Sequence, residues 1–106
     1  KESTGVRWES KVGWATKKGR SGLIKPWRRR WFVLDKGELR YYGDIDLADL
    51  KGVFRLSLST EVSKSSKRQH AVLFKDGAEE LLVDYDTAED AREWSAAVET
   101  NAGYCR

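Results

Sequence analysis

The chain has no methionine, one proline, one cysteine and one histidine among its 106 residues. Each scarcity excludes something. Cys105, close to the C-terminus, has no second cysteine with which to close an internal disulfide, as in a chain kept in a reducing compartment. One histidine and one cysteine cannot supply a metal site of the common structural kinds, and no metal or cofactor is expected. A Gly-Lys-Ser/Thr phosphate loop, His-Glu-x-x-His and Gly-x-Ser-x-Gly are all missing, so catalysis has little to stand on. No apolar run exceeds five residues, too short to span a membrane, and no signal-peptide pattern is visible. The lack of methionine even at position 1 points to a piece of a longer protein.

What remains is enough for one domain. Forty per cent apolar residues with five tryptophans can fill a single core, and 35% charged residues ask for a well-solvated surface. The net charge of +3 hides a polarity. Residues 11–30 hold eight Lys or Arg and no acid, whereas residues 31–106 hold ten basic against fifteen acidic, a balance of −5. A concentrated positive source on an acidic body orients a protein toward an anionic surface or ligand.

Periodicity predicts short strands followed by one helix. Strands are expected over residues 12–18, 27–34, 38–42, 53–58, 61–63, 70–75 and 79–85, with a glycine-bearing turn at Asp35–Gly37 and a hairpin signal at Asp76–Gly77. The 19–26 loop is basic, and "GDIDLADLKG" (43–52) is an acidic connection. Thr87 with Asp90 resembles a capping box. Behind it Ala91, Trp94, Ala97 and Val98 draw the stripe of an amphipathic helix. The fold class is α+β, mostly β: a small antiparallel barrel or sandwich plugged by the helix.

Within "KPWRRRWFVL" (25–34), strand parity sets Arg28, Arg30, Phe32 and Leu34 on one face. Phe32 and Leu34 belong to the core, so Arg28 and Arg30 face the same interior where the barrel opens to water. In the preceding strand Ala15 and Lys17 share a face. Lys17, Arg28 and Arg30 thus converge on a basic mouth, and the partner that relieves their mutual repulsion is a multivalent anion such as phosphate. Arg29, of opposite parity, is expected to be a solvated surface residue. Trp31 and Trp94 are expected to be structural, as is His70.

The stretch 13–44 resembles the first three strands of a pleckstrin-homology (PH) domain, and "TAEDAREWSAAVE" (87–99) resembles that family's closing helix. The resemblance covers residues 11–101, leaving 1–10 as a flank and 102–106 as a tail. It implies a seven-stranded bent barrel of two sheets, capped at one end by the helix. It further implies a phosphoinositide-binding mouth with Lys17 and Arg30 on a 3-phosphate. Arg28 is implied as a further basic contact, Tyr41 as a hydroxyl donor, and Lys51 and Lys25 as outer cations. Arg20, Leu23 and Ile24 form the loop expected to touch the membrane, its apolar pair inserting shallowly. The tight 76–77 turn departs from members that bring ligands from a longer loop.

The resulting expectation is a non-enzymatic targeting module for 3-phosphorylated headgroups, phosphatidylinositol 3,4,5-trisphosphate or the 3,4-bisphosphate. As an isolated domain it would be a cytoplasmic monomer, recruited to the inner face of the plasma membrane. The alternative is a PH domain used mainly to bind a protein partner, with weak, non-selective attraction to anionic lipid. A nucleic-acid partner is not expected, because parity turns Phe32 inward and splits the arginines between two faces.

Overall fold

Alternation of apolar and polar residues decides which face of each strand turns inward. In the computed structural model, which describes residues 8–19 and 26–105, it does so along seven strands. These are β1 (Lys11–Lys18), β2 (Trp27–Asp35), β3 (Glu38–Tyr42), β4 (Leu50–Arg55), β5 (Glu61–Lys64), β6 (Ala71–Asp76) and β7 (Glu79–Asp84), followed by the helix α1 (Ala88–Tyr104). The strands form one antiparallel sheet in the order β4-β3-β2-β1-β7-β6-β5. The expected fold class is therefore observed, with one continuous sheet in place of two.

The join between the halves is narrow. Along β1, eight residues pair with β2, but only Thr16 and Lys17 pair with β7, opposite Asp84 and Val83. Around this seam the sheet folds on itself. Ala15, Phe32, Leu34, Leu39 and Phe54 from one half share a core with Phe74, Leu81 and Val83 from the other, all 2% exposed or less. Full burial of such side chains stabilises by about 1.5–3 kcal/mol each, which is what holds the bend closed.

The helix caps the end where β1 begins. Thr87 takes the N-cap, its hydroxyl accepting from the Asp90 amide at 3.0 Å, with Glu89 and Asp90 in the first turn where the helix dipole favours negative charge. Trp94 reaches the core, stacked on Tyr85 at 5.8 Å between ring centroids and edge-on to Phe32 at 6.4 Å. A Cβ at Gly13 would stand 3.5 Å from the Trp94 ring, at ordinary contact distance, so β1 runs directly beneath the indole. Beside it, Lys11 Nζ lies 3.2 Å from Glu93 Oε1.

One polar residue organises this end. Asn101 is fully buried; its Oδ1 accepts from the Gly37 amide at 3.2 Å, and its Nδ2 donates to the carbonyls of Glu9 at 2.7 Å and Ala97 at 3.0 Å. Gly37 belongs to the two-residue β2–β3 turn, where Lys36 (φ 48°) and Gly37 (φ 82°) both take the positive φ of a type I′ hairpin. The sequence signal at Lys36–Gly37 thus gives the turn, and Asn101 ties it to the helix.

Two elements differ from expectation by more than one residue. The fourth strand begins at Leu50, ahead of Val53, and stops at Arg55 short of Leu58, because Ser57 and Thr60 leave the sheet to donate hydroxyl bonds to Asp76 Oδ2 at 2.6 and 3.0 Å. The helix continues past Glu99 to Tyr104, since the buried amide of Asn101 rewards helical geometry there. Among the described residues no helix is long and apolar enough to cross a membrane.

Candidate anion-binding mouth of the barrel

The inward face of β1 and β2 changes character along its length. Away from the helix, Phe32 and Leu34 give way to Arg30 and Arg28, and Ala15 gives way to Lys17. The register completes the pattern by placing Ala15 opposite Arg30 and Lys17 opposite Arg28 on successive inward rungs. The three cations are brought together as strand parity requires.

They are held differently. Lys17 is 7% exposed; its Nζ donates to the Lys18 carbonyl at 3.0 Å and sits 4.9 Å from the centroid of the Tyr41 ring. Burying an ammonium is costly without partners, and a carbonyl with an aromatic face offsets part of that cost. Arg30 is half-buried and folds back along its own strand, Nη1 donating to the Arg29 carbonyl at 3.0 Å. Arg28 is exposed. Neither arginine meets a carboxylate among the described residues.

Tyr41 forms the floor. It is 5% exposed, 5.5 Å from Phe32 between ring centroids, and lies across the backbone of Gly52 on β4. A Cβ at Gly52 would fall 2.5 Å from Tyr41 Cζ, so glycine is what allows the ring to lie flat beneath Lys17. Tyr41 is therefore first a packing residue that shapes the mouth.

Lys51 sits where the β3–β4 register shifts, the bulge leaving it between the rungs Tyr41–Gly52 and Tyr42–Leu50. Its ammonium pairs with Asp49 Oδ2 at 3.1 Å. The acidic connection thus already holds this cation at the rim. Lys25, Arg20, Leu23 and Ile24 lie outside the described residues. Gly19 and Pro26 close the neck of their loop, the Gly19 amide donating to the Pro26 carbonyl at 2.8 Å.

Arg29 lies exposed on the outward face, as its parity predicts, and is paired there. Its two terminal nitrogens donate to both carboxylate oxygens of Asp86 at 3.0 Å each, and the guanidinium lies 5.7 Å from the Trp14 ring centroid. Hydrogen bonding to Arg29 holds the Asp86 carboxyl below its ordinary range, and Arg29 is shifted upward in turn. Trp14 packs edge-on against Trp31 at 5.4 Å, so the outward face of β1 and β2 is a structural ladder. Of three consecutive arginines, two face the mouth and one buttresses the corner before the helix.

Further cations at this end escape the parity rule. Lys18 and Arg68 lie over the Trp27 ring at 6.0 and 4.3 Å from its centroid, and Arg68 also approaches Asp84 at 3.7 Å. Arg68 thereby anchors the β5–β6 connection beside the loop neck. At the end of β6, Asp76 accepts from Ser57 and Thr60 of the β4–β5 connection.

Comparison with known proteins agrees with this geometry. A family model described as PH domain matches residues 10–102. A PH domain-containing protein of Dictyostelium discoideum is 31% identical over 93 residues, covering 84% of this chain and 20% of that protein. A human protein named dual adapter for phosphotyrosine and 3-phosphotyrosine and 3-phosphoinositide is 49% identical over 35 residues, covering 33% of this chain and 12% of its own. The chain thus spans a fifth or less of either relative. Among solved structures, the C-terminal PH domain of pleckstrin in complex with D-myo-Ins(1,2,3,5,6)P5 superposes with a TM-score of 0.78 at 21% identity, over 91% of this chain and 98% of that one. A seven-stranded antiparallel sheet closed by one C-terminal helix, with a family match along nearly its whole length, places this chain in the PH domain family.

Proposed function

We propose that this PH domain binds phosphoinositide headgroups phosphorylated at the inositol 3-position, and that it carries its parent protein to the membrane surface that displays them. The observation that carries the reading is the convergence of Lys17, Arg28 and Arg30 on one inward face, the arginines without a carboxylate partner among the described residues. The remaining ligands proposed are Lys51 at the rim, Tyr41 beneath Lys17, and Lys25 of the β1–β2 loop, whose Arg20, Leu23 and Ile24 would meet the bilayer. A pentakisphosphate in the pleckstrin complex and the 3-phosphoinositide in the human adapter's name support the ligand class. PH domains are generally non-catalytic modules, and targeting without chemistry is the proposed role here. It would be exercised by residues 11–101 as a monomer at the inner face of the plasma membrane.

Charge-assisted hydrogen bonds in a shaped pocket contribute about 1.5–3 kcal/mol each, whereas diffuse attraction to an anionic leaflet gives about 1 kcal/mol per cation and fades with salt. Liposome co-sedimentation across the phosphoinositide series, at about 0.15 M and about 0.5 M salt, separates the two. Preference for 3-phosphorylated lipids that survives high salt is expected. Binding that tracks total negative charge and collapses with salt would leave a basic surface without a site, and a protein partner would become the first reading.

A further inference from the structure

The basic mouth does not use everything on its rim. Within one sheet β3 runs in the same direction as β1, so the β3–β4 connection opens at the same end of the barrel as Lys17 and the β1–β2 loop. Here the chain displays Ile45, Leu47 and Leu50 to solvent at 59%, 48% and 52% exposure. Three large aliphatic side chains within six residues have no part in the core.

The connection is nonetheless well built. The Gly43 amide donates to the Asp49 carbonyl at 2.9 Å and the Leu47 amide to the Asp44 carbonyl at 3.3 Å. Asp44 Oδ1 accepts from the Ile45 amide at 2.7 Å and Asp46 Oδ1 from the Ala48 amide at 2.9 Å, while Asp49 pairs with Lys51. The backbone thus satisfies much of its own hydrogen bonding, as a segment that leaves water must. Leu47 is held at φ 60°, a left-handed conformation that is unfavourable for any residue with a side chain. Glycine would remove that cost, yet the position carries a large apolar group.

From these observations we infer that the β3–β4 connection is an apolar wedge that enters the interfacial layer of the bilayer when the mouth holds a lipid headgroup. The inference rests on the headgroup reading, because a headgroup contacting Lys17 and Lys51 brings this rim against the lipid. Ile45 and Leu47 then supply affinity through burial, and the three aspartates of the connection oppose adsorption onto generic acidic lipid. The domain therefore binds a headgroup in a membrane more tightly than the same headgroup free in solution, by a margin insensitive to salt.

The test compares the wild type with the double variant Ile45→Ser, Leu47→Ser and with Leu47→Gly, which relieves the positive φ while removing the side chain. Two probes are used: soluble inositol 1,3,4,5-tetrakisphosphate by calorimetry, and phosphatidylcholine vesicles with a few mole per cent phosphatidylinositol 3,4,5-trisphosphate by co-sedimentation. Expected are unchanged affinity of all three proteins for the soluble headgroup and a loss of about tenfold or more on vesicles for the double variant, the loss being the same at both salt concentrations. Leu47→Gly should lose vesicle affinity while matching or exceeding the wild type in thermal stability. Undiminished vesicle binding by the double variant overturns the wedge and leaves the pocket standing, with the acidic-apolar loop free for a protein. Absence of soluble-headgroup binding by the wild type overturns the pocket and the wedge together.

Discussion

The inward polar groups at the two ends of this barrel are held differently. At the helix end the buried amide of Asn101 makes three hydrogen bonds, Lys11 has Glu93, and Ser57 and Thr60 converge on Asp76. At the mouth Arg28 and Arg30 meet no carboxylate among the described residues, and Lys17 rests on a carbonyl and a ring. Both ends are built from the same strands, so the difference is not one of fold. At the open end, where Arg28 and Arg30 meet no carboxylate among the described residues, the proposed anion would take that place.

The contrast can be broken from the closed side first. Asn101→Ala removes three hydrogen bonds at a buried site and orphans the Gly37 amide; a loss of about 3 kcal/mol is expected, with a fall in Tm of roughly 15 °C. Headgroup affinity of the folded fraction should be unchanged, so a matching loss of binding would show that the ends are coupled. From the open side, Arg30→Ala should cost about 1.5–3 kcal/mol of headgroup binding and abolish selectivity, with thermal stability nearly unaltered. Arg29→Ala is its control and should leave selectivity intact, because Arg29 serves Asp86. Equal losses of binding from the two variants would replace the pocket with a general basic face.

Gly52→Ala sharpens the comparison at the seat of Tyr41. A methyl 2.5 Å from Tyr41 Cζ forces the ring from beneath Lys17, and overpacking of about 1–2 kcal/mol should appear together with weaker headgroup binding. Stability lost with affinity untouched would mean that the Lys17–Tyr41 contact plays no part in binding.

The smallest effect concerns acid. Asp86 is held below its ordinary range when folded, so its contribution is present at neutral pH and is lost as the pH falls through that lowered value. Both partners of the bridge are about half exposed (side chains 49% and 51%), which limits the contribution to roughly 0.5–1 kcal/mol. Asp86→Asn should flatten the acid limb of the stability profile by that amount, and an unchanged limb would show that the bridge is energetically silent.

Strand parity is local, and what it governs was legible in the residues: the inward cations, the core positions of Phe32 and Leu34, the hairpin at Lys36–Gly37, the Thr87 cap. What the sequence did not disclose depends on partners far along the chain. The ion pair of Arg29 is not legible because Asp86 lies 57 positions away. The helix reads as ending near Glu99 because Thr100, Asn101 and Gly103 are indifferent helix formers, and only the tertiary bonds of Asn101 make them helical. The fourth strand reads as starting late because Gly52 looks like a break, when its bareness accommodates Tyr41.

The seam between β1 and β7 is the narrowest join in the sheet. Lys17 and Val83 form one of the two rungs that join the halves of the sheet among the described residues, so a residue proposed to bind the headgroup is also a closure point of the barrel. Amide hydrogens near that seam report on both. In the free domain they should exchange with solvent faster than those of the long β1–β2 ladder, as narrow joints open by local fluctuation. With headgroup bound, the same amides should slow the most, making the seam an internal clock for occupancy that needs no label on the ligand.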